Sequence, residues 1–101
     1  MKATCMICGH KTLESRCDWD ICPVCFWEDD VILEGVDKVS PANMDLRVSE
    51  AQANYMVFRS SSKQHVSSVR KPMPDEELDP TWQPLTEAIS LANKMRASSH
   101  S

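Results

Sequence analysis

Two cysteine pairs near the start constrain this chain more than any other feature. Cys5-Met6-Ile7-Cys8 opens it, and Cys22-Pro23-Val24-Cys25 follows thirteen residues after Cys8. A C-x2-C pair turns two sulfurs toward one point, and a second pair at this distance can close a tetrahedron round one metal ion. Four soft sulfur ligands suit Zn2+, which needs no open coordination position in a structural site. The spacing is slightly shorter than the commonest zinc-ribbon spacing, but both pairs are intact. The pattern predicts one closed, structural zinc site held by Cys5, Cys8, Cys22 and Cys25.

Other uses of the cysteines compete with zinc. Sulfur tetrahedra also hold iron, as in rubredoxin-like sites. Disulfides belong to oxidising compartments, but Lys2-Ala3-Thr4 begins no apolar signal segment. The expected location is therefore the reducing cytoplasm, where structural disulfides are rare. Two redox C-x-x-C pairs side by side would be unusual. Cys17 belongs to neither spacing and is expected to be a small buried or half-buried thiol. His10 is expected to be an exposed turn residue, since four thiolates already complete the site.

Size and charge narrow the function. The chain has 101 residues, which fits a single domain over 1–101 with a modest core. A metal cross-link supports such a core, because metal-binding free energy becomes folding free energy. The net charge is −4, which argues against a general nucleic-acid binder. No apolar run approaches the roughly 20 residues of a membrane span.

The predicted fold class is small α+β: a zinc-ribbon-like N-terminal β module packed against two or three α-helices. Residues 3–30 make the knuckle module. Gly9 suits a turn that needs φ > 0, and Pro23 helps set the second turn. Lys11-Thr12-Leu13 and Trp19-Asp20-Ile21 are short enough to be the two strands of a hairpin. Phe26 or Trp27 is expected to cover the metal site. Between Glu28 and Asp37 there are five acids and no base. Trp27, Glu28, Asp29, Asp30, Glu34 and Asp37 are thus a candidate partner-binding surface. The competing reading is a merely solvated face.

Gly35 and Pro41 mark residues 31–43 as a loop. A helix is predicted from Asp45, its N-cap, to about Phe58, within a helical part spanning 44–74. Met44, Val48, Ala51, Tyr55 and Phe58 form its apolar face. His65 to Val69 fits one short helical turn, and the prolines make 70–74 extended. A last helix lies within 80–97, started at Asp79-Pro80 or Gln83-Pro84. Leu85, Ala88, Ile89, Ala92 and Met95 are its apolar face, with Trp82 placed to staple it. The tail from Ala97 to Ser101 is expected to fray.

The stretch Ile21-Cys-Pro-Val-Cys-Phe-Trp-Glu-Asp-Asp30 resembles the signature of the cysteine-rich CPCC domain family of small bacterial proteins. Cys5-x-x-Cys8-Gly9 followed by Lys-Thr-Leu is similar to that family's opening motif. Ala42-Asn43 and Glu50-Ala-Gln-Ala-Asn-Tyr55 with Phe58 resemble its central helix, and Val69-Arg-Lys-Pro72 its closing motif. The likeness covers about residues 3–74, so the C-terminal helix falls outside it. One departure stands out: the family's opening motif carries an extra cysteine after a proline, where this chain has Met6-Ile7. The resemblance implies a small acidic protein of the kind found beside polymorphic toxins, acting as an immunity partner.

Three functions follow as expectations. The first is a zinc-stabilised protein-binding module, an immunity protein that blocks the active site of a cognate toxin. Acidic and aromatic surface would meet a basic cleft. The second is a nucleic-acid-binding zinc ribbon using Arg59, Lys63, Arg70 and Lys71, which the net charge disfavours. The third is an enzyme. A metal saturated by four thiolates has no site for activated water, and no phosphate loop or serine elbow is present. The chain is accordingly expected not to be an enzyme.

Overall fold

The computed structural model describes residues 2–30 and 36–98. Each cysteine pair sits in its own tight turn, and the two turns repeat one hydrogen-bond pattern. The Cys5 N–H donates to the His10 carbonyl and the Gly9 N–H to the Cys5 carbonyl, both at 2.9 Å. The Cys22 N–H donates to the Trp27 carbonyl at 2.9 Å, and the Phe26 N–H to the Cys22 carbonyl at 2.7 Å. The residue after each second cysteine is left-handed: Gly9 has φ 80° and Phe26 φ 69°. Only glycine fits the first position, because a Cβ there would overlap the Trp82 ring. Phe26 takes the same conformation despite its Cβ, and its ring lies 4.5 Å from that of His65.

The predicted hairpin between residues 11–13 and 19–21 does not form. Strand β1 (Ala3–Thr4) pairs antiparallel with β2 (Lys11–Leu13), closing the first turn. Ile21 bridges Glu28 and closes the second. Trp19 cannot extend a strand, because its φ is 60° and its N–H is already bound to the Asp29 carbonyl. Each turn therefore pairs its own flanks, the partners nearest in sequence.

A second two-stranded sheet joins β3 (Val39–Ser40) and β4 (Leu46–Arg47). Between them lie a 3-10 turn, Pro41–Asn43, and two left-handed residues, Met44 and Asp45. Helix α1 (Val48–Phe58) therefore starts later than the predicted Asp45. The acid that caps it is Asp37, which accepts from the Ser49 N–H and the Ser49 hydroxyl, both at 2.9 Å. Glu50 accepts the Arg47 N–H at 2.8 Å. Both acids stand at the positive end of the helix dipole. Arg59, with φ 61°, ends α1 by donating its N–H to the Tyr55 carbonyl. A 3-10 helix, Lys63–Ser68, follows.

Val48, Ala51 and Tyr55 of α1 join the cysteines in one core, with Ile7, Leu13, Val24 and Trp27. Met44 does not belong to that face; it lies in the turn and is exposed. Helix α2 (Thr86–Ser98) packs along α1, burying Ala88 and Ala92, so the helices approach through small side chains. Ile89, part of the predicted face, is exposed.

The chain between the helices returns to the first turn. Leu78 bridges His10, the Lys11 N–H donates to the Glu77 carbonyl, and the Asp79 N–H to the Gly9 carbonyl. Trp82 is anchored on that turn by its indole N–H, 3.1 Å from the Met6 carbonyl. Among the described residues, no helix is long and apolar enough to cross a membrane.

Candidate metal centre

Cys5, Cys8, Cys22 and Cys25 converge on one buried point, with all four Sγ atoms within 4.8 Å of one another. Cys5 Sγ lies 3.6 Å from Cys25 Sγ, and Cys8 Sγ 3.8 Å from Cys22 Sγ. These separations exclude S–S bonds, which are about 2.05 Å long. They match a metal tetrahedron: Zn–S bonds of about 2.3 Å give S–S edges of about 3.8 Å. The donor set therefore fits one tetrahedral ion, and the four sulfurs complete its coordination.

The thiols do not titrate alike. Burial pushes Cys5 and Cys25 well above the ordinary thiol range. Hydrogen bonds from Cys25, Cys5 and Cys8 hold Cys22 far below it, and Thr12 adds to them. The Thr12 hydroxyl sits 3.0 Å from Cys22 Sγ, placed to donate to its thiolate. A bound cation favours the thiolate at each sulfur. Supports on the first pair are equally specific. Gln52 Nε2 donates to the Met6 carbonyl at 2.8 Å, while Gln52 Oε1 accepts the Leu85 N–H. One glutamine thus ties α1, α2 and the first turn together. Met6 and Ile7, which stand between the first two cysteines, are both buried in the core.

The other candidate residues fall elsewhere. His10 is half-buried rather than an exposed turn residue; its Nδ1 donates to the Glu76 carbonyl at 2.8 Å. Cys17 is exposed, not buried, in a left-handed residue whose N–H binds Asp29 Oδ2 at 2.6 Å. Trp27 is fully buried in the cysteine core, leaving Phe26 half-exposed over His65.

The acids after Trp27 also need correction, because both readings of them put them at the surface. Asp29 is fully buried and accepts from Arg16 Nε at 2.9 Å. Asp30 is buried against the Ser40 hydroxyl. Glu28 is half-buried, and its backbone N–H and carbonyl both bond the Asn43 amide. Asp37 caps α1, and Glu34 lies outside the described residues. Burial makes Trp27 part of the scaffold, and burial with hydroxyl, backbone or guanidinium partners does the same for Asp29 and Asp30. The exposed aromatic is instead Trp19, beside Ile21, Asp18 and Asp20.

Thr12, Gln52 and Asp29 are the residues that sequence reasoning missed as site supports. Only Thr12 carried a signal, standing just past the first pair. On the basic side, Arg70 is not free, because its guanidinium forks onto the Glu76 carboxylate at 2.6 and 2.9 Å. Arg59 lies over the Tyr55 ring and Lys63 over the Phe58 ring. Burial, above all, pushes the Tyr55 hydroxyl up to about 12.

Comparison with known proteins gives one match. The family model described as Cysteine-rich CPCC matches residues 3–76. No curated protein and no solved structure matches the chain.

Proposed function

This chain belongs to the cysteine-rich CPCC family, and from that premise we propose that it is a zinc-stabilised protein-binding module without enzymatic activity, acting as an immunity protein on a cognate toxin. One observation carries the structural half: four buried cysteines surround one point, a donor set that would saturate one tetrahedral ion. No position remains for water or substrate, so the metal's work is to hold two turns together. The binding half draws on the family likeness and on the surface. Trp19 and Ile21 are 54% and 45% exposed and sit beside exposed Asp18. An aromatic anchor among acids suits a partner with a basic cleft. The contact surface is thus reassigned from the buried residues around Trp27 to residues 18–21. The nucleic-acid reading has less support, since Glu76 neutralises one of its four cations.

The test is purification from the native host, with bound metal and co-purifying protein measured together. The expected result is stoichiometric zinc and a stoichiometric protein partner, with Trp19→Ala weakening that complex at least about tenfold while zinc is retained. A folded, metal-free protein would overturn the structural half. Co-purified nucleic acid with no protein partner would overturn the immunity reading.

A further inference from the structure

A groove of about 710 Å3 lies between α1, the Lys63–Ser68 helix and the extended segment after it. Phe58, Val66, Val69 and Pro72 supply its apolar lining. Its polar groups are basic or neutral, and no acid lines it, although the chain carries a net charge of −4. Arg70 is occupied by Glu76, but Arg59 and Lys71 pair with no carboxylate among the described residues.

Tyr55 marks the centre. It is 7% exposed, and its hydroxyl has no hydrogen-bond partner among the described residues. The hydroxyl is not sealed off in the core but reaches the groove, where it is open to a ligand. Tyr55, Arg59 and His10 also line a second groove of about 360 Å3, so these three stand where the two meet. His10 Nδ1 is committed to the Glu76 carbonyl, which leaves Nε2 to the grooves.

We propose that this groove binds a small amphiphilic carboxylate, with its apolar chain on Phe58, Val66 and Val69 and its carboxylate held by the Tyr55 hydroxyl, Arg59 and Lys71. The volume is that of a small-ligand site, and an apolar lining with a few convergent polar groups is the usual composition of one. A monoanion fits better than a phosphate dianion. The helix end at the groove is the carboxyl end of α1, whose partial negative charge opposes a second negative charge. None of the four cysteines lines this groove, although Tyr55 packs into their core, and the site lies apart from residues 18–21 and stands whether or not the chain has a protein partner.

The test titrates the isotope-labelled, zinc-loaded full chain with phenylbutyrate and with the isosteric, uncharged phenylbutyramide, following backbone amide shifts. The acid should produce saturable shifts at Arg59, Val66 and Val69, with an affinity about tenfold or more above the amide. Tyr55→Phe should weaken the acid several-fold, and Lys71→Gln likewise, with zinc content unchanged. Lys71 lies in the extended segment, so its variant leaves the helix cap intact. Equal binding of acid and amide overturns the proposal. So do saturation at other residues, no saturable shift, or variants that bind as the parent does.

Discussion

Asp29 stands in a run of acids, yet it is fully buried and organises the loop before the second cysteine pair. Its Oδ2 accepts from Arg16 Nε and from the Cys17 N–H, while its backbone bonds Trp19 and Asp20. Removing that carboxylate takes the charged acceptor from Arg16 Nε and leaves the Cys17 N–H without its acceptor. Asp29→Ala should cost about 2 kcal/mol in urea unfolding of the zinc-loaded chain, since Arg16 keeps some access to water. An unchanged midpoint would mean the loop holds itself. Thr12 acts on the metal centre more directly. Thr12→Val keeps the shape but removes the donor to Cys22 Sγ. Zinc affinity should fall about tenfold or more in a chelator competition, the usual effect of losing such a support. Equal affinities would reduce Thr12 to a packing residue.

At the scale of elements, the two knuckle turns share one backbone pattern, but the left-handed residue of the first lies directly beneath a tryptophan ring. Gly9 has φ 80° and no room for a Cβ beneath Trp82. Gly9→Ala should therefore destabilise through both strain and overlap, by about 2 kcal/mol or more. In a Trp82→Ala background only the backbone part should remain, about 1 kcal/mol. Additive losses in that double-mutant cycle would contradict the packing account. The same elements show what the residues could announce in advance. The cysteine spacing and the helical periods of Val48-Ala51-Tyr55 and Ala88-Ala92 report local geometry, and both are legible. Strands of two or three residues carry no period, so the partners of Lys11–Leu13 and Ile21 were not. Burial of Asp29 and Asp30 depends on Arg16 and Ser40, which only the fold brings near. The pairing of residues 77–79 with the first turn was hidden by acids and prolines that look like open chain.

Across the whole molecule, the metal centre and the returning segment are the two closures. The cysteines form the middle of the core with Trp27, Ile7 and Val48, so a metal bound there would join both turns to α1. A strong chelator under reducing conditions should abolish the near-ultraviolet signal of Trp27 and unfold the chain cooperatively, and zinc should restore it. Retention of that signal without metal would show that packing alone suffices. The second closure joins distant parts of the chain: Thr4 Oγ1 donates to Asp79 Oδ2 at 2.6 Å. That hydroxyl, with Thr81, holds the Asp79 carboxyl at about 2, below its ordinary 3.8. Glu76 is lowered too, chiefly by Arg70. A carboxyl depressed in the folded state stabilises above its unfolded value, and the contribution is lost as pH falls through the folded one. Asp79→Asn should therefore lower the melting temperature by a constant amount from about pH 7 to about pH 5, with zinc in excess. Asp79 stays ionised throughout that range, and the gap should begin to close only below about pH 4, where protons also displace zinc from the thiolates. Thr4→Val should raise the Asp79 pKa and shift that closing to higher pH. A gap that narrows well above pH 5 would place the titrating group elsewhere.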